Sequence, residues 1–555
     1  MQTTSNATLF QTSYSEALGA YRSRKAIHTS GLVSLSSSSS LDEAKARYGY
    51  PIHLHPRFEE AVIKNAEDLA VEGSGADGGR YRVLSLEVDN QGGSIWTSES
   101  GGIVRQVDGE SGKTVNTYRG AKAPIPTFDF LTTTAGEKLL VTGSWDKALR
   151  IYRVSNSPND KSTATPLLEV PDAMADFIKS VHIFQSANTT YIAAAGSDKS
   201  IMLFDATPLL ALAASATTVE GKLKCIHQNK SHTRPVNVLA SFVGLDGITR
   251  LYSADSMGRV LESTLNPTTL RLEVQREIQG FSTAVYDLKI GWRRVEVEGE
   301  PSSPTTRRND AFVSEVKEDE EGGRYQLVAE VWAASGDKSA AGYRLSPTLQ
   351  PSSNKGSSRT TTSTTNTPLL GNQEPLSVPY VKIPHRDFVK SVLPLALHLS
   401  PSSSTSHYFD TFSEAVLTAG SDEHLRLHTL SDEEIIEVEG HWHEVTSLAL
   451  WSRSPAASAS SCTSTVLPLA KSEELWVVSA GLDGSIRRWN LNSIATLPKP
   501  ELKPVMEEER KLGADWDQNS LPPMTVKKQG ENAVVGVQMT AEEEAELAEL
   551  MSDQD

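Results

Sequence analysis

Two closely spaced histidine pairs, His53/His55 and His441/His443, are by type the best candidates for holding a metal ion. Five aspartates, Asp146, Asp198, Asp337, Asp422 and Asp483, are the best candidates for acid–base work. Spacing argues against both chemistries. A zinc site draws three or four ligands together, and neither histidine pair has a cysteine or a second ligand cluster nearby. The aspartates recur once per repeat, each inside a turn sequence such as GSWDK, GSDKS or GLDGS, as residues that stabilise a turn do. Residues 73–80 (GSGADGGR) are glycine-rich but lack the Lys-Ser/Thr that holds phosphate and magnesium. No G-x-S-x-G nucleophile elbow occurs. The expectation is no catalytic residue, no metal and no cofactor.

The elements that position these residues are short and alternate in polarity. The most complete unit spans residues 440–490, GHWHEVTSLALW, then a Ser/Ala/Pro insert, then ELWVVSAGLDGSIRRWN. VTSLALW, LWVVSA and SIRRW have the period of half-buried strands, and Asp483-Gly484 between two of them marks a tight hairpin. Related units precede it: LVTGSWDKALRIYRV, IAAAGSDKSIMLFD, SHTRPVNVL with LYSADSMGRVLES, VWAASGDKSAAGYRL, and HRDFVKSVLPL with VLTAGSDEHLRLH.

These units resemble WD repeats, each one blade of a β-propeller. The resemblance implies a hydrogen-bonded chain of His, Ser or Thr, Asp and Trp across a blade. In the last repeat these positions are His441, Ser479, Asp483 and Trp489. Elsewhere the matches are partial: Thr142 and Asp146 in the second blade, Asp198 in the third, Asp337 in the fifth, and His385, Thr418 and Asp422 in the sixth, where His428 replaces the Trp. In the fourth blade His232 is present, but Met257 stands at the Asp position, so this blade is expected to lack the polar chain.

The fold class expected is all-β: a seven-bladed propeller closed by an N-terminal strand, with a disordered leader, loop insertions and an acidic tail. Residues 1–56 form the Ser-rich leader, 57–68 a flanking helix, 69–492 the propeller and 493–555 the acidic linker and tail, with a short helix at 540–551. Residues 69–72, which repeat the pattern of the strand before the last unit, are expected to be the closing strand. Seven units of roughly 40–45 residues need about 300, so over a hundred of the roughly 420 are insertions. The long ones fall near 295–324, 346–375, 400–411 and 452–471, all on one face. The other face keeps short turns.

Composition narrows the function. A net charge of −17 disfavours a general nucleic-acid binder. More than half of it lies in Glu501–Asp555, with 14 acidic and 5 basic residues. Two cysteines make no disulfide framework, and no apolar run approaches the roughly 20 residues of a membrane helix. Cytoplasm or nucleus is the compartment expected. Several Ser-Pro and Thr-Pro pairs in the insertions, at residues 165, 207, 303, 346, 367, 400 and 454, are read as turn chemistry.

Binding to other proteins is the best-supported function. The short-loop face collects Trp145, Lys147, Lys199, Arg234, Arg259, Lys338, Arg386, Phe388 and Trp442, a basic and aromatic set suited to an acidic peptide segment. A second contact is expected from Leu547, Leu550 and Met551 on the tail helix. The protein is thus read as a non-enzymatic scaffold, monomeric within a larger complex. A funnel-based hydrolase and a nucleic-acid-binding subunit are the competing classes.

Overall fold

A computed structural model of the chain describes residues 41–54, 82–211 apart from 91, 156 and 161–164, 223–297, 310–346 apart from 319–321, 375–399, 406–454 apart from 432–433, and 472–497, together with 22, 25, 29 and 467. The tail positions Leu547, Leu550 and Met551 and residues 57–72 lie outside them.

Seven antiparallel sheets form the molecule, in each of which consecutive strands are neighbours. The first blade is Val83–Asp89, Ser94–Glu99, Ile103–Asp108 and Thr114–Tyr118. The fifth carries a small extra strand, Lys317–Glu318, beside Arg324–Ser335. The last is built from Val445–Arg453, Glu474–Gly481 and Ser485–Asn490, and is completed by Tyr50–His53. This is a seven-bladed β-propeller closed by an N-terminal strand.

The closing strand is Tyr50–His53 rather than residues 69–72. It pairs with Ser485–Asn490 in the register Tyr50↔Arg488 to His53↔Ser485. Its sequence, YPIH, hides its role because proline depletes strands in general. An outer strand faces no further neighbour, so Pro51 loses no ladder bond there. Ile52 and Leu54 supply buried apolar contacts in the core between the last and first blades. The preceding helix Leu41–Tyr48 also belongs to the ordered structure, inside the stretch read as leader.

Second strands such as Ser94–Glu99 and Ala415–Gly420 are buried throughout, since blades flank them on both sides. First strands alternate, as in Val445–Arg453. Six of the seven first strands carry a register shift at their second residue, between Val83/Ser85, Ile178/Ser180, Val236/Val238, Val285/Asp287, Val389/Ser391 and Val445/Ser447. Such bulges sharpen twist where strands converge on the axis.

Polar side chains stitch the inner strands to one another. Asp129 accepts from the Ile183 amide at 2.7 Å, Ser180 from Leu239 at 3.0 Å, Asp287 from Ser391 at 2.8 Å, and Ser391 from the Leu448 amide at 3.1 Å. Thr446 donates to the Val83 carbonyl at 3.0 Å, joining the last blade to the first. A buried cluster reinforces this seam, with Arg453 held by Glu110 at 2.7 and 2.8 Å and Arg488 on the carbonyls of Gly109 and Glu110.

The insertions near 295–324, 400–411 and 452–471 join first to second strands, and 346–375 joins third to fourth. Second-to-third and fourth-to-first connections therefore share the opposite, short-loop face. Every second-to-third turn has one left-handed residue at its tip: Gly102, Lys147, Lys199, Gly258, Lys338, Glu423 and Gly484, with φ from 64° to 85°. A side chain there costs about 1 kcal/mol relative to glycine. Lys199→Gly is therefore expected to raise the urea midpoint slightly, by about 0.5–1 kcal/mol in stability.

Candidate partner-binding face

Four of the seven turn tips accept that strain and place a charged side chain at the rim: Lys147, Lys199, Lys338 and Glu423. Lys199 and Lys338 are exposed, as are Arg234, Arg386 and Phe388. Arg259 is half-buried, bonded to Glu277 at 3.1 Å and to the Ser231 carbonyl at 3.0 Å, so it braces its turn. Trp145 is 38% exposed and stacks on Phe177, itself 46% exposed, with ring centroids 5.8 Å apart. Phe177 was not anticipated from sequence. Its signal was its place, just before the first strand of the third blade and beside the Trp145 turn.

Trp442 departs from expectation: it is 7% exposed and buried rather than displayed. Its ring lies 6.0 Å from His53 and 5.8 Å from the Arg487 guanidinium. The closing strand, through His53, and Arg487 cover the ring. Arg22, Lys25 and Thr29 are each helical, and the Thr29 hydroxyl donates to the Lys25 carbonyl at 2.9 Å. Arg22 donates to Glu423 at 2.7 Å, Lys25 to the same carboxylate at 3.1 Å, and Arg487 donates to Thr29 at 3.1 Å and to the Tyr48 carbonyl at 2.7 Å. These three residues thus bond to the sixth-blade tip and to Arg487 on the third strand of the seventh blade.

The polar chains across blades are present with changes. In the seventh blade His441 Nδ1 is 2.9 Å from Asp483 and Nε2 is 2.6 Å from Ser479 Oγ. The carboxylate fixes the imidazole proton on Nδ1, so Nε2 accepts from the serine. Burial pushes Asp483 up, but His441, Arg487 and the Ser485 amide outweigh it and hold the carboxyl well below its ordinary range. The chain stops at Ser479, because the Trp489 indole N–H has no hydrogen-bond partner among the described residues.

The fourth blade corrects a second expectation. It does have the polar chain, built on Asp255 rather than on position 257. His232 Nδ1 is 3.0 Å from Asp255 and Nε2 is 2.8 Å from Ser253 Oγ. Asp255 also accepts from the amides of Met257 and Arg259. A carboxylate two residues after the serine, instead of four, reaches the same imidazole, while Met257 projects outward.

In the second and sixth blades arginine replaces histidine as the partner. Asp146 accepts from Arg150 at 3.0 Å and from the Lys122 amide at 2.8 Å, and Thr142 donates to the Arg150 carbonyl at 3.4 Å. Asp422 pairs with Arg426, which also donates to His385 Nδ1 at 3.2 Å, so His385 meets the aspartate only through the guanidinium. Thr418 Oγ1 lies 2.9 Å from His428 Nε2. Burial and Arg426 bring His385 down to about 3, and burial, His385 and Arg426 bring His428 to about 3, so both are neutral. Asp198 accepts from Ser200 at 2.8 and 3.0 Å and Asp337 from Ser339, both as turn caps. The spacing Asp-x-x-x-Arg at 146/150, 422/426 and 483/487 was readable and went unread.

No three His, Cys, Asp or Glu side chains come together to hold a metal ion among the described residues. No helix among them is long and apolar enough to cross a membrane. No protein-family model matches the chain, and no curated protein matches it.

Proposed function

We propose that this propeller is a non-enzymatic WD-repeat-type scaffold whose short-loop face captures an acidic peptide segment of a protein partner. The observation that carries the reading is the exposed Trp145–Phe177 stack, flanked by the turn-tip lysines Lys147 and Lys199. Two large aromatic rings left in water lose the free energy that burial would supply, and apolar anchors beside cations suit a segment pairing carboxylates with an apolar side chain. The acid–base groups nearest in type to catalytic ones, His441 with Asp483 and His232 with Asp255, are committed to each other inside blades, which favours binding over hydrolysis.

The test is affinity capture with Trp145→Ala/Phe177→Ala beside the intact protein. Loss of an aromatic hot spot costs about 2 kcal/mol or more, so partner recovery is expected to fall at least about tenfold with an unchanged melting curve. Equal recovery from both proteins refutes the reading. Trp442→Ala is not a fair probe of this face, since that ring is buried and its loss is expected to lower the melting temperature.

A further inference from the structure

Of the four turn tips bearing a side chain in left-handed conformation, three carry lysine and one carries glutamate. The exception, Glu423, is where the N-terminal segment docks. Its carboxylate is 7% exposed and receives Arg22 on one oxygen and Lys25 on the other. A lone carboxylate at the rim would repel an acidic ligand that the other tips attract. With two cations on it, the Glu423 side chain and its two partners sum to plus one, the charge that a lysine side chain brings to each of the other tips, and Arg22 remains about one quarter exposed.

We propose that the N-terminal segment is an integral part of the partner-binding face, converting its one acidic side-chain tip into a cationic one so that the lysine ring continues onto the sixth blade for an acidic peptide. This inference rests on the short-loop reading above and adds to it. Charge complementarity at a rim acts mainly through encounter rate and at low salt, so the effect is electrostatic and screened. Thr29, whose hydroxyl donates to the Lys25 carbonyl, is in turn held by Arg487, a fully buried guanidinium that burial pulls down to about 10 and whose Nε has no hydrogen-bond partner among the described residues. Thr29 and Tyr48 oxygens supply part of what this cation needs, which ties the docked position to the closing strand that follows.

Two variants separate charge from shape. Arg22→Gln/Lys25→Gln leaves the tip at minus one, and Glu423→Lys leaves it at plus one with its docking partner removed. Hydrogen exchange of the amides around residues 20–30 reports docking, and anisotropy with a fluorescein-labelled Asp/Glu-rich peptide reports binding. Exchange is expected to rise in both variants. Peptide affinity is expected to fall about fivefold to tenfold in the first, with the loss shrinking at high salt, and to stay within about twofold in the second. If affinity in the first variant matches the intact protein, or if Glu423→Lys loses as much as the first, the inference is overturned while the short-loop reading stands. If the intact chain fails to bind the peptide, both fall together.

Discussion

Asp483→Ala and Asp255→Ala are each expected to lower stability by about 3–5 kcal/mol, and Met257→Ala by almost nothing, in urea unfolding followed by tryptophan fluorescence. The aspartates are buried partners of His441 and His232, and removing either carboxylate strands an imidazole N–H in a dry site. In the seventh blade the loss extends further. Arg487 depends on Asp483 for its nearest negative charge, and the Trp442 amide donates to the same carboxylate at 3.2 Å. Met257 is 55% exposed, so its truncation removes little packed surface. A large effect at Met257 with none at Asp255 would return the fourth blade to the reading based on repeat spacing.

Acid is expected to weaken the fold through two buried histidines, partly offset by Glu87, whose carboxyl is pushed up to about 7 by burial. His385 and His428 are held neutral, with folded values of about 3 against an ordinary value near 6.5. Their contribution is therefore complete above about pH 6.5 and declines as pH falls toward 3, because the unfolded chain takes up protons that the folded chain refuses. Each such histidine approaches a slope of about 1.4 kcal/mol per pH unit once the unfolded ring is protonated, so the pair removes about 3 kcal/mol between pH 6.5 and 5. Unfolding midpoints measured at intervals across that window test this. His428→Phe is expected to reduce the slope by about one histidine's share. A flat profile from pH 7 to 5 would show that both rings take up protons in the folded state, and a halved slope that one does.

Sequence showed the ring of blades because alternation and Asp-containing turns recur, and recurrence survives single substitutions. The inter-blade stitches by Asp129, Ser180 and Asp287 were not visible, since each depends on a neighbour some fifty to one hundred residues away, and the six inner-strand bulges leave the apolar alternation that marks these strands readable without showing the register shift. The closing strand was misplaced for a related reason. LAVEG resembles IEVEG locally, but what closes a propeller is an edge that tolerates Pro51 and buries Ile52. On the candidate face, the lysine tips, Trp145 and Phe388 were legible from turn position. The burial of Trp442 was not, because what covers it comes from the far end of the chain. The fourth-blade chain was missed by counting residues from the serine instead of asking which carboxylate an imidazole could reach.

Tyr50 and Arg488 are partners in one ladder although 438 positions separate them. On a ribosome adding about 5–20 residues per second, the strand that closes the ring leaves the tunnel roughly 20 to 90 seconds before the strand it must join. Blades one to six can assemble in order of synthesis during that wait, while the first-made strand has no partner. Its proline makes it a poor template for a neighbouring nascent chain, which protects a strand that is made early and used last.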